Sequence, residues 1–443
     1  MSDLPENWVS AVLSDISTVE MGQSPDSSTY NEKGKGLPFF QGKAEFGKLH
    51  PTVRKWCTDP KKIAEAGDIL LSVRAPVGPT NVALEKCCIG RGLAAIRAKE
   101  SIDQKYLLLY FRNIESWLSQ QGTGTTFTAI SGSFIRDLQV PVAPLDEQKR
   151  IAEKLDSLLT RVDSCEHHLE RVPQILKRFR QSVLAAATSG RLTEDWREEN
   201  AVNGEWEEST FGLVGSVSGG LTKNQKRNLI EWRKPYLRVA NVYANKLELE
   251  DVADIGLTET EFEKTKLLKD DLLIVEGNGS LEQIGRAAIW NNEVVDCVHQ
   301  NHIIRWRTNG NVIPKFALFW LLSPEGRSFM VGIASSTTGL HTLSISKVSS
   351  IPIRVPSPEE QAEIVRRVEK LFAYAERLEA RYYSASEHVE RLTPSLLAKG
   401  FRGELVEQDP NDESAEKLLE RVKAGREDVQ PQKAGLRGRK GKK

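Results

Sequence analysis

The chain repeats itself, and the repeat stays in register at one fixed offset. Gln148 aligns with Gln361, which lies 213 residues later, and the same offset places Gly190 on Gly403. No gap is needed over residues 127–192, which is longer than a chance alignment would hold its register. A chain of this kind has to fold as two similar halves.

Upstream of that stretch the two halves diverge, although short similar pieces recur. Residues 67–71 resemble residues 270–274 at a shorter offset of 203, and each half begins near a tryptophan, Trp8 or Trp206. Each half is therefore a variable block followed by a constant block. This pattern indicates a fixed frame that carries two different recognition surfaces.

The constant block predicts a long helix in each half. Apolar residues recur in alternating steps of four and three from position 151 to 183, and again from 364 to 396, which is a heptad seam. Pro173 and Pro394 lie inside the two patterns and predict a kink or a break near each. The seam positions that we single out are Ile151, Leu155, Leu158, Val162, Leu169, Leu176, Ile364, Val368, Leu371, Leu378, Val389 and Leu392.

The variable blocks predict compact domains, because short β-strand signals alternate with glycine-containing turns and polar loops. The expected fold is mixed α/β (α+β): two globular domains separated by two long antiparallel helices, which form an intramolecular coiled coil within a pseudo-twofold internal repeat. A helix of about 40 residues would be a rod of roughly 60 Å. The predicted boundaries are 1–143 and 193–356 for the globular domains, 144–192 and 357–407 for the helical regions, and 408–443 for a tail that is partly disordered and basic at its end.

Composition excludes several classes of protein. There is no run of 18 or more apolar residues and no secretory signal pattern, so we expect a cytoplasmic protein with no membrane partner. The five cysteines are scattered without a C-x-x-C motif, which argues against a disulfide framework. The 61 basic and 61 acidic residues give a formal net charge of zero, so any nucleic-acid footprint has to be a local basic surface.

Taken in order, these motifs resemble one known family, the specificity subunits of Type I restriction–modification enzymes. The resemblance is carried by residues 67–78, 89–94, 138–148 and 181–192, and it covers the chain up to about residue 407. No single motif is specific, but the ordered set occurs twice.

The resemblance implies a DNA-binding subunit with no catalytic centre, cofactor or metal of its own. Each half would be a target recognition domain that binds one half-site of double-stranded DNA, and the helices would set the gap between half-sites. Two modification (methyltransferase) subunits would supply S-adenosylmethionine and methylate an adenine in each half-site. Two restriction (endonuclease/translocase) subunits would supply ATP hydrolysis, and ATP and Mg²⁺ are expected in the partner subunits.

Polar residues in loops and at predicted strand ends are the candidates for DNA contact, since Arg, Asn and Gln discriminate bases by paired hydrogen bonds. In the first domain the candidates are Gln41, Lys43, Arg74, Arg91, Thr123 and Thr125. In the second domain they are Lys223, Asn224, Lys226, Arg227, Arg238, Asn241, Asn278, Gln300, Asn301, His302, Thr337 and Thr338. The basic run at 223–227 suits phosphates, which position a protein without specifying sequence.

Two other functions stay open at this point. Asp26 and Asp59 loosely match the paired acids of a metal-dependent nuclease. A coiled-coil scaffold with no DNA role is the second alternative. Cys297, His299 and His302 could ligate a metal, but their alternating spacing suits one face of a strand better.

Overall fold

The computed structural model describes residues 4–100, 102–122, 129–202, 204–278, 280, 283–337 and 340–427. The chain divides into two compact units: the first comprises Met1–Leu169 and Ala385–Lys443, and the second comprises Glu170–Ser384. Each unit therefore combines one variable block with segments of both constant blocks. Within the described residues, no helix is both long and apolar enough to cross a membrane.

The first unit is a mixed α/β fold. Its strands are β1 (Val9–Val12), β2 (Ser17–Met21), β3 (Tyr30–Asn31), β4 (Leu37–Phe40), β5 (Trp56–Cys57), β6 (Ile63–Ala64), β7 (Ile69–Ser72), β8 (Thr80–Val82), β9 (Cys87–Ile89), β10 (Leu93–Ala98) and β11 (Gln139–Val142). Its helices are α1 (Leu13–Ile16), α2 (Gln104–Asn113), α3 (Glu115–Gln121), α4 (Gly132–Arg136) and α5 (Leu145–Leu169). The strands form a β1–β11 pair, a sheet of order β2-β10-β7-β8 and a sheet of order β3-β5-β4-β9-β6, in which β4 and β9 are parallel.

The second unit repeats this plan. Its strands are β12 (Glu207–Thr210), β13 (Gly215–Gly219), β14 (Arg233–Leu237), β15 (Val242–Tyr243), β16 (Lys246–Leu247), β17 (Ala253–Gly256), β18 (Asp271–Val275), β19 (Gly277–Asn278), β20 (Ala287–Trp290), β21 (Val298–His299), β22 (Ile303–Thr308), β23 (Ser335–Thr337), β24 (Leu340–Thr342) and β25 (Pro352–Val355). Its helices are α6 (Val172–Thr188), α7 (Glu194–Glu199), α8 (Glu259–Thr265), α9 (Pro314–Leu322), α10 (Pro324–Ile333), α11 (Ile345–Ser349) and α12 (Pro358–Gly400), of which the last part belongs to the first unit. The sheet β13-β22-β18-β20 matches β2-β10-β7-β8, and parallel β14 and β21 match β4 and β9.

A buried glutamine fixes the start of each long helix. In the first unit the side chain of Gln148 donates to the carbonyl of Ala143 (2.8 Å) and accepts from the amide of Asp103 (3.0 Å). Gln361 makes the same two contacts, donating to the carbonyl five residues before it (2.9 Å) and accepting from the amide of Ile313 (2.7 Å). Both glutamines are fully buried, so their amides need these partners. The repeat at offset 213 therefore extends to individual hydrogen bonds.

A buried aspartate that pairs with an arginine lies within the shorter repeat at offset 203. Asp68, at the start of β7, accepts two hydrogen bonds from the guanidinium of Arg97, both at 2.7 Å. Asp271, which begins β18, accepts the same pair from Arg307 at 2.6 and 2.7 Å. A bidentate arginine–carboxylate pair is geometrically specific. These pairs hold the same strands together in both units.

The long helices depart from the seam prediction in part. The first copy breaks between α5 and α6 beside Pro173, as the sequence predicts, whereas α12 runs unbroken through Pro394. Ile151, Leu155, Val162, Leu176, Ile364 and Val368 are buried, and Leu158, Leu169, Leu371, Leu378 and Val389 are half-buried. Leu392 does not fit the seam, because its side chain is 42% exposed. A straight helix drifts by about 20° per heptad from a strict seven-residue repeat, so a long seam cannot face one partner throughout.

Helix α13 (Ala415–Glu427) closes the first unit. Its residues Ala415 and Leu418 are buried in the same core as Ile151 and Leu155 of α5. The amide of Ala415 also donates to the carbonyl of Asn7 (3.1 Å). Part of the tail predicted at 408–443 is thus a packed helix, while its basic end lies outside the described residues.

We expect Leu418→Ala to lower the free energy of unfolding of the first unit by about 2–4 kcal/mol, because it removes buried methyl groups and leaves a cavity. Lys417→Ala is the matched control, since Lys417 is exposed on the same helix. Thermal unfolding of the full chain measures both. Equal unfolding temperatures for the two variants would show that α13 does not stabilise the core.

Candidate nucleic-acid interface

One concavity of the first unit brings together the four candidates that lie in its described part. Gln41, Lys43, Arg74 and Arg91 line an open concavity of about 650 Å³. They come from three places in the chain: the end of β4, the residues after β7, and the turn between β9 and β10. All four are exposed. The sheet edge therefore concentrates three cations and one amide on a single surface.

The charge of this concavity is largely uncompensated. Among the described residues, none of Lys43, Arg74 and Arg91 forms an ion pair with a carboxylate. Asp26 lies on the rim, but its carboxylate accepts from the amide (2.9 Å) and the hydroxyl (2.7 Å) of Ser28, and these bonds lower the pKa of Asp26. A local excess of cations attracts a polyanion even when the net charge of the chain is zero.

The turn that carries Arg91 is firmly held. The amide of Gly90 donates to the carbonyl of Phe40 (2.8 Å), and the amide three residues further on closes the turn onto Gly90 (3.0 Å). The hydroxyl of Ser24 accepts from both the amide (3.3 Å) and Nε (3.2 Å) of Arg91. No described residue pairs with the two terminal nitrogens of the guanidinium, which then remain for a ligand.

The second unit builds the same edge with the same backbone hydrogen bonds. The amide of Gln300 donates to the carbonyl of Leu237 (2.9 Å), and the amide three residues further on closes the turn onto Gln300 (2.9 Å). The residues at matching positions are therefore Gln41 and Arg238, Gly90 and Gln300, Arg91 and Asn301, and Gly92 and His302. One backbone frame thus presents different side chains in the two units.

Three of these second-unit side chains already have partners in the protein. Arg238 pairs with the carboxylate of Asp251 (2.7 Å), and the side-chain oxygen of Gln300 accepts from the amide of Val239 (3.2 Å). His302 Nδ1 lies 2.9 Å from a carboxylate oxygen of Glu276. Asn301 differs, since the contact of its side chain is a marginal one of 3.5 Å with His302 Nε2.

Two candidates have structural roles instead of facing a ligand. Asn241 is buried. Its side-chain oxygen accepts from the backbone amide of Arg238, and its side-chain nitrogen donates to the backbone carbonyls of Glu248 and Asp251. Asn241 therefore has no hydrogen-bonding group left for a base edge, and its proposal as a DNA contact is withdrawn.

Arg227 is the second such residue. Its guanidinium forms a bidentate pair with Glu261 (2.7 and 3.0 Å) and donates to the carbonyls of Thr222 and Gly256. The pairing with Arg227 holds the pKa of Glu261 at about 2, well below its ordinary value. Arg227 braces the loop, and Lys223, Asn224 and Lys226 remain exposed on it.

The hydroxyl-rich loops are described only in part. Thr123, Thr125 and Thr338 lie outside the described residues. Asn278 and Thr337 lie on β19 and β23, which both pair with β24. Backbone pairing thus puts these two candidates on one small sheet.

Sequence reasoning missed Ser24, Tyr30 and Ser72, which also line the concavity of the first unit. The Tyr30 hydroxyl donates to the carbonyl of Pro25 (2.9 Å), and burial raises its pKa. Nothing in the local sequence marks these residues, because they become neighbours only when the loop after β2 folds over the turn at Gly90.

The nuclease alternative finds no support in the geometry. Asp59 pairs with Lys61 (2.7 Å) and Asp26 caps its own turn. His299 is fully buried, with Nδ1 at 3.0 Å from the carbonyl of Thr265. In the described part of the chain, no group of three or more His, Cys, Asp or Glu side chains could hold a metal ion.

Comparison with known proteins gives consistent matches. The sequence profile of the Type I restriction modification DNA specificity domain matches residues 5–174 and 203–383. The EcoKI specificity subunit of Escherichia coli K12 is 31% identical over 96% of both chains, and the StySPI specificity subunit of Salmonella potsdam is 32% identical over the same shares. Among solved structures, an HsdS subunit from Thermoanaerobacter tengcongensis is 49% identical over 37% of this chain and 40% of its own, with a TM-score of 0.35.

Proposed function

The chain belongs to the family of Type I restriction–modification specificity subunits, and from this premise we propose that each of its two units contacts one half of a split DNA target. As a specificity subunit it is a non-catalytic component of the complex. The observation that carries the proposal is the matched edge, which presents Arg91 in one unit and Asn301 in the other on the same backbone turn.

DNA contact at this edge follows from its chemistry. In the first unit, cations that pair with no carboxylate of the described residues surround a concavity that also contains the amide of Gln41. Cations attract the phosphate backbone, and arginine and amide side chains form paired hydrogen bonds to base edges in the major groove. The exposed Lys223 and Lys226 of the second unit suit phosphates.

The partners and cofactors follow from the family in the same way. Two modification subunits would bind this chain and bring S-adenosylmethionine, and two restriction subunits would bring ATP and Mg²⁺. We place the assembly in the cytoplasm, and we keep the boundaries 1–143 and 193–356 for the two target recognition domains.

The helical segments would form an antiparallel coiled coil that sets the gap between half-sites. Arg180 of α6 pairs with Glu379 of α12 (2.7 Å), and Val183 and Ala187 share a core with Ile364. Rising residue numbers on one helix thus meet falling numbers on the other. The pseudo-twofold relation between the halves would match a split target with one half-site per unit.

The test is methylation mapping of DNA from cells that express the chain together with its methyltransferase partner. We expect a split motif with methyladenine on both strands, which disappears when the chain is deleted. The double variant Arg74→Ala/Arg91→Ala should abolish methylation, because it removes two cationic side chains that would contact one half-site of the DNA.

Arg54→Ala is the matched control, since Arg54 is exposed in the same unit but does not line the concavity. Wild-type levels of methylation in this control would tie the loss to the concavity itself. A continuous motif would mean that only one unit contacts bases, and an active complex whose methylation ignores the chain would refute the specificity role.

A further inference from the structure

The turn between β9 and β10 in the first unit has room for one functional side chain. A Cβ on Gly92 would lie 2.1 Å from the carbonyl oxygen of Gln41, and a Cβ on Gly90 would lie 3.2 Å from the side chain of Gln41. Position 92 therefore cannot take a Cβ without a shift of the backbone, and position 90 takes one only if Gln41 moves by a few tenths of an ångström. Arg91 between them is exposed and lines the concavity.

The guanidinium of Arg91 is oriented by one hydrogen bond, which uses only one of its three nitrogens. Ser24 accepts from its Nε, and within the described part of the chain no group pairs with either terminal nitrogen. A planar fork with two free donors fits two adjacent acceptors. In the major groove, O6 and N7 of guanine offer such a pair.

In the matching turn of the second unit, the central residue is again the one whose side chain is left for a ligand, although its neighbours are not glycines. Gln300 and His302 are larger than the two glycines, but each is engaged, Gln300 with the amide of Val239 and His302 with Glu276. Among the described residues, the side chain of Asn301 between them makes only a marginal contact at 3.5 Å. Its amide offers one donor and one acceptor, which match N7 and N6 of adenine.

We propose that residues 91 and 301 are matched base-reading positions, at which Arg91 recognises a guanine in one half-site and Asn301 an adenine in the other. The inference rests on the proposed function and deepens it, because it assigns one base to one residue in each unit. The shared turn is the frame, and the side chain at its centre changes the base that is recognised.

The experiment compares Arg91→Ala, Arg91→Lys and Asn301→Ala with the wild type in the assembled methyltransferase complex, by methylation mapping of a randomised target library. We expect Arg91→Ala to relax one guanine position of one half-site by roughly 10- to 100-fold in discrimination. Asn301→Ala should relax one adenine position of the other half-site. In each variant the remaining positions should keep their wild-type discrimination.

The lysine variant separates base recognition from phosphate contact. Lysine keeps the charge but loses the planar fork, so Arg91→Lys should also relax the guanine position. The proposal is overturned if Arg91→Lys behaves as wild type while Arg91→Ala weakens all targets uniformly, which is the signature of a phosphate contact. It is also overturned if neither Arg91 variant changes the motif.

Failure of the proposed function would look different. In that case the wild-type complex itself would yield no split motif that depends on the chain. If Arg91→Ala does not assemble, Arg91→Lys and Asn301→Ala still test the assignment, because each position has its own half-site as readout and the other half-site as internal control.

Discussion

Replacing Glu360 with alanine is expected to lower the free energy of unfolding of the second unit by about 3 kcal/mol, because each donor that loses its acceptor costs about 1–3 kcal/mol. The Glu360 side chain is 2% exposed. One oxygen accepts from Arg197 (2.6 Å) and from the hydroxyl of Thr193 (2.7 Å), and the other accepts from the indole of Trp206 (3.1 Å). Alanine would remove the shared acceptor of these three donors, of which Thr193 is buried and Arg197 and Trp206 are half-buried.

The repeat supplies a comparison within the same chain. Glu147 occupies the matching position and accepts from the indole of Trp8 (3.1 Å), but its second oxygen is buried with no hydrogen-bond partner among the described residues. Burial raises the pKa of Glu147. We therefore expect Glu147→Gln to lower the free energy of unfolding much less than Glu360→Ala does. The Glu147 carboxylate accepts from one side-chain donor among the described residues, whereas that of Glu360 accepts from three.

Thermal unfolding of the full chain, with Glu359→Ala as an exposed neighbouring control, measures these differences. The explanation from the buried network would be wrong if Glu360→Ala and Glu359→Ala shifted the unfolding temperature equally.

The second unit is expected to lose stability as the pH falls from about 6.5 towards 3, because burial lowers the pKa of His299 from 6.5 to about 3. The positive charges of Arg305 and Arg307 act in the same direction. Between these two pH values His299 is protonated in the unfolded chain and neutral in the folded chain. The free energy of unfolding therefore decreases with falling pH. Each unit of pKa difference is worth about 1.4 kcal/mol, so the total is several kcal/mol.

The first unit again suggests the control. Ile89 occupies the position of His299 at the end of the matching strand, since β9 pairs with β4 as β21 pairs with β14. His299→Ile should therefore fit the fold while removing the titrating group. We expect a flatter dependence of unfolding on pH between 3 and 6.5 in this variant, measured by denaturant unfolding at each pH. An unchanged dependence would mean that groups other than His299 cause the loss of stability at acidic pH.

The repeat predicted much of the fold because it lies in positions that packing and buried hydrogen bonds restrict. Gln148 and Gln361 are alike in sequence since both amides satisfy backbone groups in a buried place, where no other side chain would serve as well. The break beside Pro173 follows from the missing amide of proline. At Pro394 the same local signal failed, because the packing of Leu397 and Phe401 into the core maintains the helix.

The candidate site was predicted less well, since its members are loop residues from distant parts of the chain. Arg74 and Arg91 carry the right chemistry in the sequence, but so do Arg227 and Asn241, whose hydrogen-bonding groups the structure uses internally. Residue type gives the possible contacts of a side chain. Only the fold shows which of those contacts are already satisfied.

By itself, the sequence determined the two-fold duplication and the long helices, because periodicity is a property of the chain order. The tertiary structure decided which polar side chains face outward and that Arg91 and Asn301 occupy the same turn. Their neighbours differ completely in sequence, Gly90 and Gly92 against Gln300 and His302. Backbone hydrogen bonds define that turn without requiring particular side chains, so its equivalence could not be seen before the strands were paired.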